Sequence, residues 1–374
     1  MNKQELTYWI TLSMIPRMWT RRKNDIYVAC FRHEPQISII QLFEDEYIWN
    51  EISLSDEEKA LFLDAKSQLS NNSFLVEDLL AQGYDIIPLT SQEYPIFLKK
   101  NLGTNSPCVI YTKGNKKLLD ENAIAIVGSR KADTISLQFT SRIAAKATME
   151  NKVVVSGFAK GVDRQALDAA LANRGKSIIV LPQGITTFSS GFKQYYKPII
   201  DGKVLVLSTF FPKAPWSVEF AMARNPIIYG LANEIYVAQS DSKGGTWSGV
   251  IDGLRKGRSI YVRYPDANEK NANLQLIQKG GVPIDINGEV LNIDKDIINE
   301  SINTENVDYN ALITDVLKGA SLSSKAIIEK CKLDWSDPKM KKYLRSMSNI
   351  EERKVKGTIL FSLKGFAEPS LFNN

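Results

Sequence analysis

The sequence predicts an α/β fold: a Rossmann-like parallel sheet covered by helices, with an N-terminal helical region before it and a C-terminal winged helix after it. From Ala123 to about Ile286, short apolar and β-branched runs alternate with segments of helical periodicity. Almost no polar residue interrupts most of these runs, which indicates strands that are covered on both faces. This alternation is typical of a parallel sheet, and a ligand is expected where the strands end.

Residues 1–115 are predicted to form a mainly helical domain. One helix is indicated by a Ser-x-x-Glu capping pattern, Ser55 and Glu58, followed by apolar residues at helical spacing. Another helix is expected to stop at Gly83 and to be followed by a strand. The segment 93–114 is interpreted as a connector that leads into an extended stretch.

The Rossmann-like domain is predicted over residues 116–287. Its candidate strands are AIAIVG, KVVVSG, SIIVLPQG, VLVLS, EIYVAQ and SIYVRY. Helices are expected between them, near 134–149, 161–173, 191–201, 217–230 and 245–256.

Two further segments follow the sheet. Residues 288–307 are polar and irregular, so we expect a linker. Residues 308–374 are predicted to form a winged-helix-like domain, because three short helical segments precede a two-stranded wing, IEERKVKGTILFSL. The basic stretch KMKKYLRSMSNIEERKVKG suits either DNA or a protein partner.

Composition excludes several kinds of site. The 374 residues carry a net charge of +5, which permits a nucleic-acid partner without requiring one. Cys30, Cys108 and Cys331 lie far apart and His33 is the single histidine, so we expect no metal, no cofactor and no His-dependent catalytic site. The chain lacks a signal-peptide core and an apolar run of membrane-spanning length. We therefore expect a reduced, cytoplasmic protein without membrane contact.

The first candidate binding turn is Gly128-Ser129-Arg130, between a strand and a helix. Gly128 allows a sharp turn, Ser129 offers a hydroxyl and an N–H, and the following helix points its positive end toward them. Arg130 adds a charged fork that suits a phosphate. The alternative is an ordinary turn with a solvated arginine.

The second candidate turn lies in the stretch VVVSGFAKGVDRQ. Ser156 and Gly157 end the strand, and Lys160 and Gly161 precede an alanine-rich helix. The glycines free backbone N–H groups and Lys160 supplies charge. We expect Asp163 to stabilise the helix start rather than to bind a ligand.

The third and fourth candidates come later in the chain. Arg224 and Asn225 precede an apolar helical run, where the alternative is a helix surface with one arginine. Lys243-Gly244-Gly245-Thr246 follows a strand and opens a helix, an arrangement typical of phosphate sites. It is not a Walker motif, because the lysine precedes the glycines. Trp247 is expected either to stack on a base or to pack on the sheet.

Together, the four candidates are expected at the same edge of one predicted parallel sheet. They would place Arg130, Lys160, Arg224 and Lys243 along a single edge. A row of anion sites fits a polyanion or one large phosphorylated ligand.

These motifs, in this order, resemble the DNA-processing protein A family, also called DprA or Smf. The matching pieces are IAIVGSR, VVVSGFAKGVDRQALDAAL, SIIVLPQGI, RNPIIYGLA and NLQLIQKGG, over roughly residues 90–286. The resemblance implies a protein that is not an enzyme, and that binds and protects single-stranded DNA. It also implies help in loading a RecA-type recombinase during recombination, repair or DNA uptake, commonly as a homodimer.

The resemblance also assigns a path for DNA phosphates. Its residues would be Gly128, Ser129, Arg130, Ser156, Gly157, Lys160, Arg224, Asn225 and Lys243, and the turns add Gly161, Gly244, Gly245 and Thr246. The chain departs from the family pattern at Leu167 in place of histidine, Pro226 in place of arginine and Thr209 in place of an acid. These departures indicate a divergent branch outside the typical transformation protein.

Two other functions compete with this one. The same turns would suit a sensor of a nucleotide-derived signal, for example in defence against phage. The GGTW segment also resembles related nucleotide-binding domains, including cytokinin-activating phosphoribohydrolases. Those carry a Glu one turn after the Thr, where this chain has Gly249. A hydrolase would have to use Asp252, a further turn on, together with Arg130.

Overall fold

A nine-stranded sheet organises most of the chain. The computed structural model describes residues 1–266, 269–293, 309–333, 335–355 and 357–365. These residues belong to two compact units, residues 1–293 and residues 294–374. The predicted linker, 288–307, lies outside the described residues from position 294 onward.

The sheet of the first unit is mostly parallel. Its strands are β1 (Asp85–Pro88), β2 (Val109–Gly114), β3 (Ala123–Val127), β4 (Val153–Ser156), β5 (Ser177–Val180), β6 (Val204–Ser208), β7 (Glu234–Val237), β8 (Ser259–Arg263) and β9 (Val282–Ile284). Their order is β1-β2-β6-β5-β4-β3-β7-β8-β9; β2 is antiparallel to both of its neighbours, β1 and β6, and every other neighbouring pair is parallel. The predicted α/β, Rossmann-like fold is therefore confirmed.

Strand β3 lies at the point where the order of the sheet reverses. Ala125 is in register with Val155 of β4 on one side and with Ile235 of β7 on the other. The chain therefore leaves β3 toward one half of the sheet and returns to build the other half. The crevice beyond the ends of β3 and β7 is the place where doubly wound sheets bind ligands.

Helices cover both faces of this sheet. They are α1 (Lys3–Met14), α2 (Thr20–Arg32), α3 (Ile39–Glu44), α4 (Ile48–Glu51), α5 (Asp56–Ser67), α6 (Leu69–Ala81), α7 (Ile96–Leu102), α8 (Thr134–Met149), α9 (Val162–Ala172), α10 (Ser189–Gln194), α11 (Tyr196–Ile200), α12 (Val218–Ala223), α13 (Asn225–Leu231), α14 (Gly245–Arg255) and α15 (Asn273–Gln278). Single-turn 3₁₀ helices occupy Gly103–Asn105, Lys116–Leu119 and Ile185–Thr187. Helix α8 has the predicted bounds, whereas 191–201 and 217–230 each contain two short helices. The predicted connector before β2 contains α7.

The N-terminal helices α1–α6 pack into one core with the antiparallel side of the sheet. Trp9, Phe43 and Phe62 are fully buried there, together with Tyr111 of β2 and Val206 of β6. The predicted Ser55–Glu58 capping box is present at the start of α5. Because β1 and β2 join the common sheet, that sheet extends across position 115, and a separate domain over 1–115 stays a prediction.

The second unit has its own small core. Its helices are α16 (Tyr309–Val316), α17 (Ser324–Lys330) and α18 (Asp337–Ser346), and its strands are β10 (Leu322–Ser323), β11 (Ile350–Val355) and β12 (Thr358–Leu363). The strands form an antiparallel sheet in the order β10-β12-β11. Ile313, Ile327, Met340, Leu344 and Phe361 are fully buried. The winged-helix assignment of this unit stays a prediction.

The cysteines are buried free thiols. Within the described ranges, no group of three or more His, Cys, Asp and Glu side chains is arranged to hold a metal ion. Of the helices in the described part of the chain, none combines the length and apolarity needed to cross a membrane.

Candidate functional site

The turn after β3 is held by backbone bonds from the turn after β7. The Ser129 N–H donates to the Gln239 carbonyl at 2.9 Å. The sequence predicted that this N–H would be available to a ligand, but it is already occupied. The Asp133 carboxylate accepts from the Ser136 N–H at 2.7 Å and caps α8, which already uses the positive end of that helix. Arg130 is exposed and remains the ligand-facing group of this turn.

The loop between β4 and α9 packs against the first turn. The Val162 N–H donates to the Ser129 carbonyl at 3.3 Å. Gly161 has a φ of +79°, and a Cβ there would lie 2.4 Å from the same carbonyl oxygen, so no other residue fits. Ser156 is buried and donates to the Ile126 carbonyl. Of the predicted residues in this loop, Lys160 alone presents an exposed charge.

Arg224, which the sequence predicts on the phosphate path, is almost entirely buried. Its side chain is only 4% exposed. Its Nη1 donates to the Val180 carbonyl at 2.8 Å, and its Nη2 lies 3.8 Å from the Asp163 carboxylate. A Cβ on Gly157 would come within 1.5 Å of Nη1, so glycine makes room for the guanidinium. Arg224 therefore ties the end of β5 to the start of α9.

Asp163 is the buried partner of that arginine. Its carboxylate also accepts from the Ala159 N–H at 3.4 Å, which fixes the loop before α9. Burial raises the pKa of the Asp163 carboxyl above its ordinary value, and the neighbouring Arg224 guanidinium opposes that shift. The expectation that Asp163 stabilises the start of α9 is consistent with this bond.

The turn after β7 closes the site from the other side. The Thr246 hydroxyl donates to the Gly128 carbonyl at 3.1 Å. Gly244, with a φ of +93°, precedes α14, and no side chain of the described residues caps that helix. The first N–H groups of α14 therefore face outward with their partial positive charge. Lys243 is exposed beside them.

These turns surround one recessed cavity of about 430 Å³, which we call the rim cavity. The predicted residues that line it are Gly128, Ser129, Arg130, Arg224, Asn225, Lys243, Gly244, Gly245 and Thr246. The predicted residues Ser156, Gly157, Lys160 and Gly161 lie outside its lining. Trp247 is half-buried and does not line the cavity either.

The positive charge around the rim cavity is not neutralised. Arg130, Lys131, Lys160 and Lys243 are exposed, and none of them has an ion pair within 4.0 Å among the described residues. Sequence reasoning missed Lys131, although it follows Arg130 directly and lines the cavity. Asp241 lines the cavity as well and partly offsets this charge.

The cavity also has an apolar side that the sequence did not indicate. Val218 and Met222 of α12 line it and are 58% and 43% exposed. Two buried polar atoms in its wall, Arg224 Nε and the Tyr229 hydroxyl, have no hydrogen-bond partner. The site therefore combines exposed cations with exposed apolar side chains, which suits a phosphorylated ligand that also carries a base.

Asp252, the residue that a hydrolase would need, is engaged elsewhere. Its carboxylate oxygens lie 2.7 Å from Arg255 and 2.7 Å from Lys256. Burial raises the pKa of Asp252, but these two cations outweigh it and hold the pKa below its ordinary value. It lines a different cavity from Arg130. This arrangement does not supply a general acid at the rim cavity.

Comparisons with known proteins agree with one another. Residues 85–293 match the family model described as DNA recombination-mediator protein A. The DNA processing protein DprA of Streptococcus pneumoniae is 33% identical over 42% of this chain and 56% of its own length. The protein of that name from Bacillus subtilis is 29% identical over 54% of this chain and 69% of its own length. The chain thus matches little more than half of the first relative.

The fold also has a solved counterpart. The X-ray structure of DNA processing protein A from Streptococcus pneumoniae superposes with a TM-score of 0.62 at 22% identity, covering 82% of this chain and 98% of that one. This similarity supports the fold described above.

Proposed function

Because the chain belongs to the DNA recombination-mediator protein A family, we propose that it binds single-stranded DNA in the rim cavity. The observation that carries the proposal is that Arg130, Lys131 and Lys243 line the rim cavity as exposed, unpaired cations, with exposed Lys160 in the adjoining loop after β4. Cations that lack carboxylate partners attract phosphates and release counterions when they bind them. The open start of α14 adds backbone donors to the same edge.

The recessed shape favours a single strand over a duplex. A duplex is stiff and keeps its phosphates on the outside of a cylinder. A single strand bends, so a phosphate can reach the N–H groups of α14 while a base contacts Val218 and Met222. We further propose that the protein acts as a homodimer, protects the strand and transfers it to a RecA-type recombinase. These parts of the proposal rest on the family resemblance.

The test is fluorescence anisotropy with a labelled oligo-dT at several salt concentrations. We expect Arg130→Glu/Lys243→Glu to weaken binding by at least about tenfold and to flatten the salt dependence, because two phosphate contacts become repulsive. The control is Arg174→Glu/Lys117→Glu, which changes the charge equally at exposed positions before β5 and β3, on the opposite edge. Equal affinities for wild type and both variants would contradict the proposal.

A sensor of a nucleotide-derived ligand is the competing function, and the rim cavity of about 430 Å³ is large enough for a nucleotide. A competition experiment against labelled oligo-dT distinguishes the two functions. A single-stranded DNA-binding protein should lose labelled oligo-dT to unlabelled oligo-dT but not to equimolar mononucleotides. A sensor should bind a mononucleotide tightly and saturably and retain oligo-dT weakly.

A further inference from the structure

A second cavity lies between the N-terminal helices and the same edge of the sheet. It has a volume of about 830 Å³, and its wall comes from the start of α2, the segment before β2, the residues after β6 and the start of α13. Parallel β6 ends at this edge and antiparallel β2 begins there, so the cavity opens on the side that carries the rim cavity. Neither the motifs nor the family match assigns it a role.

A buried ammonium group in this wall lacks a counter-ion. Lys23 is only 6% exposed. Its Nζ donates to the Ser13 carbonyl at 2.6 Å and has no carboxylate within 4.0 Å among the described residues. Burial lowers the pKa of this ammonium. A buried cation is costly unless an anion compensates it, and here the place beside it is an open cavity.

The start of α2 contributes a second attraction for anions. This helix has 13 residues, and no side chain of the described residues caps it. Thr20, Arg21 and Arg22 line the cavity at its first turn. Arg22 is neutralised by a two-point ion pair with Glu58. Arg21 is 71% exposed and lies 3.9 Å from Asp25, which also lines the cavity, so much of its charge stays available.

A third, small cavity lies between α13 and α14 and borders the other two. It has a volume of about 160 Å³ and shares Met222, Asn225 and Tyr229 with the rim cavity. It shares Pro226 and Lys256 with the second cavity. The rim cavity and the second cavity also meet directly at the junction of α12 and α13, since Arg224 and Asn225 line the first and Ala223 and Pro226 line the second, within a single compact unit.

An aromatic residue stands at the second cavity. Trp19 immediately precedes α2, lines the cavity and is 83% exposed. An exposed ring in that position offers a face on which a base can stack. The combination of an exposed indole with cations is the usual composition of a single-strand path.

We infer that the second cavity binds a further phosphate and base of the same DNA strand, with Lys23, Arg21 and the start of α2 holding the phosphate and Trp19 stacking on the base. The inference rests on the proposed function, since the strand must first occupy the rim cavity. It deepens that function by giving the strand a direction along the edge, from β3 toward the N-terminal helices.

The experiment is a length series of oligo-dT, from about 4 to about 16 nucleotides, measured by anisotropy. Wild type is expected to gain affinity when the strand becomes long enough to reach the second cavity. Trp19→Ala/Arg21→Gln should bind the shortest oligonucleotide normally and the longest about tenfold more weakly, with a salt slope smaller by about 0.7 for the lost phosphate contact. Lys23→Met keeps the length of the side chain but removes its charge. It should likewise bind the shortest oligonucleotide normally and the longest more weakly.

The matched control is Tyr47→Ala/Arg32→Gln, which removes an equally exposed aromatic residue and an exposed arginine elsewhere on the N-terminal helices. It should follow the wild-type length curve. If Trp19→Ala/Arg21→Gln and Lys23→Met also follow that curve, the second cavity is not part of the path and the rim cavity remains. If wild type binds no oligonucleotide of any length, the inference and the proposed function fail together.

Discussion

The hydroxyl of Thr246 donates a hydrogen bond of 3.1 Å to the carbonyl oxygen of Gly128, 118 residues away in the sequence. This bond joins the turn after β3 to the turn after β7, on either side of the point where the sheet order reverses. Together with the bond from the Ser129 N–H to the Gln239 carbonyl, it holds in place the turns that carry Arg130 and Lys243, the two cations that flank the rim cavity.

Replacing Thr246 with valine should loosen that connection without changing the shape of the side chain much. We expect a loss of about 1 kcal/mol in the free energy of unfolding, because one partly buried acceptor loses its donor. Binding of oligo-dT should weaken severalfold, since Arg130 and Lys243 are no longer held at a fixed separation. Chemical denaturation and anisotropy measure the two effects.

Ser248→Ala is the control for that variant, because Ser248 lies on the same helix and its hydroxyl makes no hydrogen bond among the described residues. Wild-type binding by a folded Thr246→Val protein would show that the two turns are positioned by other contacts.

Arg224 should matter for stability more than for direct DNA contact. Arg224→Met removes the donor to the Val180 carbonyl and leaves the Asp163 carboxylate buried without its cation. We expect a loss of about 3–5 kcal/mol in the free energy of unfolding. Arg130→Met, at an exposed position, should change stability by less than about 0.5 kcal/mol and weaken oligo-dT binding.

The double variant Arg224→Met/Asp163→Asn tests the cause. It should recover part of the lost stability, because the uncompensated charge is removed with the arginine. An Arg224→Met protein with wild-type stability and weakened DNA binding would instead make Arg224 a contact residue, as the sequence predicted.

The ion pair between Arg22 and Glu58 predicts a pH dependence of stability. The Arg22 guanidinium lowers the pKa of the Glu58 carboxyl from its ordinary 4.5 to about 2. A lowered pKa in the folded state means that the ionised carboxylate stabilises the protein above pH 4.5 and that this contribution disappears as the pH falls toward 2. Because Arg22 is partly exposed, solvent screens the ion pair. We therefore expect the pair to contribute about 1 kcal/mol to the free energy of unfolding.

Glu58→Gln isolates this charge, because glutamine can still close the capping box with Ser55. The variant should be less stable than wild type at pH 7, and the difference should shrink below pH 4.5. Glu57→Gln, at the exposed neighbouring position, should show no such dependence. A difference that is constant between pH 7 and pH 3 would contradict the prediction.

Several features could be predicted because they are written in local patterns. AIAIV is apolar at every position and VLVLS at every position before its final serine, and only a strand covered on both faces buries all of these side chains. The glycine-rich turns after the strands also marked the edge where the rim cavity lies. The positions at which helices are interrupted could not be predicted in the same way. The sequence predicted one helix over 217–230, but the structure has two, divided at Arg224, whose side chain turns inward.

The sequence by itself determined the strands, the order of strand and helix, and the cationic turns that follow the strands, because each depends on residues that are neighbours in the chain. Only the tertiary structure decided which charges stay available. Arg224 and Lys243 look alike in sequence, yet one is held by Asp163 and Val180 and the other is exposed. The second cavity likewise exists only because α2 packs beside the ends of β2 and β6. Burial and ion pairing depend on partners far away in the sequence, and no local pattern records them.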